Sequence, residues 1–316
     1  MTHFRRPSAL GVAWLACAAL AACATPQTDR LLEAAGALPT HVELLDVPFH
    51  AQRTDECGPA SLAMALGWSG VDATPDALVR EVYAPGRRGS LQADIVSAAR
   101  RHGRLAYPVR DLEALMTELA AGHPVLVLQN LGLRWPSVWH YAVAVGYDLE
   151  LATLELHSGQ QARRRVELRL FERTWARGDH WGLVVLPPTL LPASADPASF
   201  VEAVLGLERV GRNAEAEAAY RTALERWPDS AVLWLGLGNR RYARGDLEAA
   251  ERAFRAATEG RPESAPAWNN LAHVLLERGR RDEARGAALR AIALGGPLAE
   301  RFQETLEAIE RATPTE

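Results

Sequence analysis

The chain is 316 residues long, 48% hydrophobic and 23% charged, with a formal net charge of −4. That length admits two domains with sizeable cores. Its 35 basic residues, all arginine, are interleaved with 39 acidic ones, so no strongly basic domain exists and the composition argues against a nucleic-acid partner.

In chain order, residues 1–22 read as a signal peptide. Arg5-Arg6 open a short basic region, and Leu10 to Leu20 is an apolar core too short for an ordinary membrane span. Leu20-Ala21-Ala22-Cys23 resembles the lipobox of bacterial lipoproteins, which implies cleavage before Cys23 and acylation of its thiol. Ala24, rather than aspartate, follows. By the same resemblance the expectation is an outer-membrane lipoprotein of a Gram-negative bacterium, facing the periplasm. Cys17 leaves with the signal and Cys23 carries lipid, so Cys57 remains as a lone thiol, retained for chemistry or by deep burial. No Cys/His cluster has ligand spacing, so no metal and no other cofactor is expected. Residues 23–40 form a tether, part helical around Leu31 to Ala37.

Residues 41–190 make the first expected domain. Val42 to Val47 reads as a strand, and a polar loop from Gln52 then runs into Cys57-Gly58-Pro59-Ala60-Ser61-Leu62-Ala63-Met64-Ala65-Leu66. A proline suited to a first helical turn and an Ala/Leu/Met run predict a buried helix with Cys57 at its N-terminus. Free N–H groups and the helix dipole there favour a thiolate, hence a nucleophile. A buried structural cysteine is the alternative. Gln52, five residues upstream, is placed to donate its amide to an oxyanion.

Further helices are predicted from a Thr74 cap through Val82, over Leu91 to His102, and over Asp111 to Ala121. Strands follow at Pro124–Gln129, Trp139–Tyr147, Leu151–His157 and Trp181–Leu186. Helices first and an antiparallel sheet afterwards predict an α+β domain. His140, at the start of its strand and on its small-residue face, is the candidate base, the alternative being a histidine in a satisfied core position. Asp148 lies eight residues along the same strand, about 26 Å away, too far to orient His140. A turn at Leu149-Glu150 instead places His157 across from Ala142, and a tighter register places it across from His140. Either puts the histidines on one face within about 5–8 Å, whereas a one-residue slip separates them. His157, its neighbour Ser158, or Asn130 then holds the imidazole.

Gln-x-x-x-x-Cys-Gly-Pro-Ala-Ser-Leu-Ala-Met-Ala-Leu, followed by His-Tyr-Ala-Val-Ala-Val-Gly-Tyr-Asp, resembles family 39 of the cysteine peptidases, the bacteriocin-leader processing type, over about 150 residues. The resemblance implies a papain-like fold, a Cys57–His140 dyad and Gln52 in the oxyanion hole. Where that family carries Leu-x-Leu-Asp-Pro, whose aspartate orients the histidine, this chain has Leu154-Glu155-Leu156-His157-Ser158-Gly159. His157 thus takes the third catalytic position, but a histidine cannot supply a carboxylate's charge to an imidazolium. The transporter segments that often accompany this domain are missing, so a double-glycine leader substrate does not follow.

Past prolines 187, 188, 192 and 197, residues 197–316 repeat every 34 positions. Trp234 recurs as Trp268, Gly211 as Gly245 and Gly279, Ala216 as Ala250 and Ala284, Tyr220 as Phe254, and Pro228 as Pro262. This resembles the tetratricopeptide repeat. The expected second domain is therefore an all-α solenoid of three repeats, with Phe200 at the first tryptophan position and Leu298 to Ala312 as a capping helix. Asn239, Arg240, Asn269 and Asn270 fall on first helices, which line the groove where a protein partner docks, or else form a solvated face. Three readings stand: a membrane-anchored peptidase acting on a protein or peptide, a degenerate peptidase-fold scaffold, and acyl transfer or amide hydrolysis on a non-protein substrate.

Overall fold

The computed structural model describes residues 25–34, 36, 38–132 and 135–312. The expected signal peptide and Cys23 lie outside them. Contacts divide the chain into two units, one running to Ile95 and resuming over Pro108–Val184, the other comprising Val96–Tyr107 and the residues from Val185 onward.

The first unit begins with α1 (Pro26–Glu33), earlier than the helix expected around Leu31–Ala37. Its first-turn N–H groups lack partners within the helix. Buried Glu172 supplies one, accepting from Gln27 N at 3.0 Å, Thr28 N at 2.7 Å and Thr28 Oγ1 at 2.6 Å. The segment is thus docked rather than loose.

Then come β1 (His41–Glu43), α2 (Cys57–Trp68), α3 (Pro75–Val82), the ribbon β2 (Tyr83–Ala84) and β3 (Gly89–Ser90), and α4 (Gln92–Arg101). Next are β4 (Leu105–Val109), α5 (Leu112–Ala120), β5 (Val125–Asn130) and β6 (Trp139–Asp148). The series closes with β7 (Thr153–Ser158), β8 (Gln161–Glu167), α6 (Leu168–Ala176) and β9 (Gly182–Leu186). The sheet runs β4-β9-β5-β6-β7-β8, and β1 also pairs with β6. Thr74 caps α3 as its sequence position predicts, accepting from Ala77 N, while Asp111, expected as the first residue of its helix, instead caps α5 by accepting from Ala114 N.

Helix α2 is buried without a break from Gly58 to Leu66, as an all-round apolar helix must be. Its Ala60 and Met64 pack on Val143 and Val145 of β6. The helix therefore rests on the bulky face of that strand, not on the small-residue face that carries His140. On its other side the helix closely approaches β3: a Cβ on Gly58 would lie 2.3 Å from Ser90 Oγ.

The β6–β7 register decides the fate of His157. Asp148 pairs with Thr153 across the turn Leu149–Ala152, and Tyr147 with Leu154. A bulge between Ala144 and Gly146 then inserts one residue, and beyond it Val143 faces His157. One extra residue reverses the side-chain alternation. His157 thus points away from the face of His140.

The second unit carries α7 (Pro197–Arg209), α8 (Asn213–Arg226), α9 (Ala231–Ala243), α10 (Leu247–Gly260), α11 (Ala265–Glu277), α12 (Arg281–Leu294) and α13 (Ala299–Arg311). The 34-residue period has a physical reason at each position. Gly211, Gly245 and Gly279 all turn with positive φ, at 78°, 83° and 73°, and Ala216, Ala250 and Ala284 are fully buried. The Trp234 and Trp268 indoles donate to the carbonyls of Pro228 and Pro262. Phe302 and Ile309 of α13 are buried.

Candidate active site

Cys57 is the first residue of α2 and lines a cleft of about 1150 Å³ together with Gln52, His140 and Tyr141. Chain topology puts it there. Strand β7 ends at Ser158, so its pairing with β6 stops short of Tyr141. The Tyr141 carbonyl, which a longer β7 would cover, is met by a side chain instead: the Gln52 amide donates to it at 3.0 Å. The main-chain N–H groups of Tyr141 and of Gly58, at the helix start, favour an anion on the Cys57 sulfur.

The electrostatics differ from the expected thiolate. Burial pushes the Cys57 thiol above its ordinary value, and the nearby main-chain N–H groups do not offset it. For His140 burial, and then the Arg164 guanidinium, push the imidazole below its ordinary value. Both shifts favour neutral partners, a thiol beside an imidazole, rather than an ion pair. Helix-end N–H groups stabilise an anion, but desolvation at this depth is the larger effect.

His140 is held by Ser158, whose Oγ lies 2.9 Å from its Nε2. Extending the register past Val143–His157 puts Ser158 beside Ala142, on the His140 face and diagonal to it. The imidazole is thus oriented by a neutral hydroxyl, with its Nδ1 as the other ring nitrogen. Among the described residues no hydrogen bond joins His140 to Cys57.

His157 serves elsewhere. Its Nε2 donates to Val47 O at 3.2 Å, its Nδ1 accepts from Arg163 N at 3.2 Å, and its ring meets Phe49 edge-on at 5.3 Å. It is a buried neutral histidine with both nitrogens satisfied. Asn130 pairs with Trp139, and its Oδ1 accepts from Gly132 N and Val138 N in the loop after β5.

Gln52 is buried and fully engaged. Its Nε2 donates to Ser61 Oγ and Tyr141 O, both at 3.0 Å, and its Oε1 accepts from Gly159 N at 2.8 Å. Its main-chain N–H donates to Gly159 O, and its carbonyl accepts from Gln160 Nε2. Gln52 therefore ties the loop before α2 to the β7–β8 turn, with neither amide hydrogen left for an oxyanion in this arrangement. Sequence spacing gave no sign of that tie, because Tyr141 and Gly159 are 89 and 107 residues from Gln52 in the chain. The walls contributed by Arg87, Trp139 and Arg177 were equally hidden.

The candidate groove residues of the repeats are partly spent on each other. Asn270 donates to Asn239 at 2.8 Å, Arg240 donates to Asn213 at 2.8 Å and pairs with Glu208 at 3.2 Å, and Asn269 is buried rather than displayed. Among the described residues no group of three or more His, Cys, Asp or Glu could hold a metal ion.

Two family models match the chain: the Peptidase_C39 like family over residues 44–178, and the tetratricopeptide repeat over residues 202–239 and 235–299. Among solved structures, a putative C39-like peptidase from Bacillus anthracis is 19% identical, covering 47% of this chain and 98% of its own, with a TM-score of 0.39. The Yersinia enterocolitica type III secretion translocator chaperone SycD is 21% identical, covering 36% of this chain and 82% of its own, with a TM-score of 0.34. The first tetratricopeptide domain of Spaghetti (RPAP3), bound to an HSP90 peptide, is 17% identical over 36% of this chain and 90% of its own, also at 0.34. No curated protein matches. Residues 44–178 thus form a peptidase-like domain of the C39 type, followed by tetratricopeptide repeats over residues 202–299.

Proposed function

We propose that the protein is a membrane-anchored periplasmic cysteine peptidase, held to the outer membrane through Cys23, whose repeats recruit a protein partner or substrate. The observation that carries the enzyme reading is the place of Cys57 at the first position of α2, in the cleft that His140 also lines. From a neutral pair, Nδ1 of His140 takes the thiol proton as the sulfur attacks a peptide carbonyl. The imidazole then returns the proton to the leaving amine, and water hydrolyses the thioester. Main-chain N–H groups at the start of α2 meet the oxyanion, and Gln52 joins them only by releasing Ser61 or Tyr141.

A specific set of observations favours the second reading, a peptide-binding scaffold on a degenerate peptidase fold. Gln52 is locked, Ser158 stands where a carboxylate would lend charge, and no bond links Cys57 to His140. Digestion of a proteome-derived peptide library by the full chain and by Cys57→Ala, read by mass spectrometry, separates the two. Cleavages present with the wild type and lost in Cys57→Ala support the peptidase. Identical peptide maps, with the same library still retained by the protein, leave the scaffold.

A further inference from the structure

The cleft walls are chemically lopsided. Arg53, Arg87, Arg88 and Arg177 line the cleft against only two acids, Asp55 and Asp179. Two of the arginines are matched by carboxylates: Arg88 by Asp55 at 3.0 Å, and Arg53 by Asp76 at 2.7 Å. Arg177 spends its guanidinium on neutral acceptors, donating to Asn130 O at 3.2 Å and Gly132 O at 2.6 Å, and makes no ion pair among the described residues. Arg87 is exposed at the end of a short 3-10 turn and makes no ion pair among the described residues. Arg164, exposed on β8, is close enough to disfavour the charged form of His140.

The same rim displays apolar side chains that the fold leaves in water. Leu91, Val138 and Trp139 line the cleft with 41%, 53% and 53% of their surface exposed. Trp139 lines the same cleft as Cys57 and His140, so an apolar group resting on it occupies the candidate site. Aromatic side chains beside an arginine are the composition that interface hot spots favour.

We propose that this cleft selects an acidic peptide segment carrying a bulky apolar side chain. The apolar side chain rests on Val138 and Trp139, and flanking carboxylates meet Arg87 and Arg177. The inference deepens the peptidase reading by naming its substrate class, yet it concerns binding alone.

The test uses the full chain with Cys57→Ala, which cannot turn over, and fluorescein-labelled 12-residue peptides read by anisotropy. One peptide is rich in Asp and Glu around a central Trp; a second replaces the acids with Lys, and a third replaces the Trp with Ala. The acidic aromatic peptide is expected to bind at least about tenfold more tightly than the Lys version, with the preference shrinking as salt rises. Arg87→Glu should narrow that ratio by about fivefold. Trp139→Ala should weaken the aromatic peptide about tenfold while leaving the alanine peptide unchanged. Acidic and basic peptides binding within twofold of each other, or an unaltered ratio in Arg87→Glu, overturns the inference. Either result leaves the peptidase reading intact, whereas wild-type protein that binds the acidic peptide without cleaving it rejects the peptidase and keeps the inference.

Discussion

At the scale of single residues, the chemistry turns on what holds His140. A carboxylate partner would raise the imidazole's affinity for a proton, but the Ser158 hydroxyl does not, and burial with Arg164 lowers it. The base therefore stays neutral to lower pH than an ordinary histidine, and the acid limb of kcat/KM should fall below 6.5, the ordinary value. Ser158→Asp should move that limb upward, because an adjacent anion stabilises the imidazolium. Ser158→Ala should leave the limb low and cut turnover by about ten- to a hundredfold, within what a positioned base contributes. An acid limb that does not move in Ser158→Asp would mean that position 158 does not touch the working histidine. His157 makes a contrasting prediction, about stability. Its Nδ1 accepts from Arg163 N, so protonation would set a donor against a donor. Burial, first, and then Arg163 hold its pKa low despite the Val47 carbonyl. A depressed histidine contributes stability that is present above its unfolded value and lost as pH falls through the folded one. Urea midpoints should therefore drop from pH 7 to pH 5, and less so in His157→Gln. His157→Ala should lose about 2–4 kcal/mol at neutral pH through two buried hydrogen bonds and a cavity.

At the scale of elements, α1 shows how a distant residue completes a local structure. Eight residues make a marginal helix in water. The carboxylate that caps it, Glu172, is 144 residues away from Thr28 in the chain. Glu172→Gln removes the charge and sets an amide donor against donors, so a loss of about 1–3 kcal/mol is expected. Hydrogen exchange should then show faster labelling over residues 26–33 while α2 stays protected. Uniform acceleration across the unit would mean that Glu172 supports the whole core instead. This remoteness also marks what the sequence conveys. Local signals were legible: the Thr74 cap, the apolar run of α2, the alternation of β6 and the 34-residue period. Several elements were not, among them the two-residue strands β2 and β3, which are too short to show a period. Strand β4 contains Pro108, β8 hides behind Arg163-Arg164-Arg165, and α6 follows with no loop between. At the site, Cys57 and His140 were legible because helix start and strand start are local properties. The expected roles of His157 and Gln52 depended on a bulge after Ala144 and on a premature end to β7, both of which are properties of strand pairing.

At the scale of the whole molecule, the question is where an anchor on Cys23 would put the peptidase-like unit. No helix of the described residues is long and apolar enough to cross a membrane. Thr25 is already buried in the first unit, its Oγ1 accepting from Arg169 at 3.0 Å. Two residue steps from Cys23 span at most about 7 Å, so a lipid there would hold the unit directly at the bilayer rather than on a long leash. Reconstitution tests this with a fluorophore on Glu33→Cys, an exposed position near the end of α1, in a Cys57→Ala background. Acylated protein in vesicles containing a headgroup-labelled acceptor lipid should show strong energy transfer. A 20-residue Gly/Ser insertion between Ala24 and Thr25 adds about 25 Å of average reach and should reduce that transfer markedly. Cys23→Ser should abolish it by leaving the protein off the vesicles. Transfer that ignores the insertion would show that the surface of the unit, not its short lead, holds it to the membrane. Cys23→Ser protein that still binds the vesicles would remove the lipid from the account altogether.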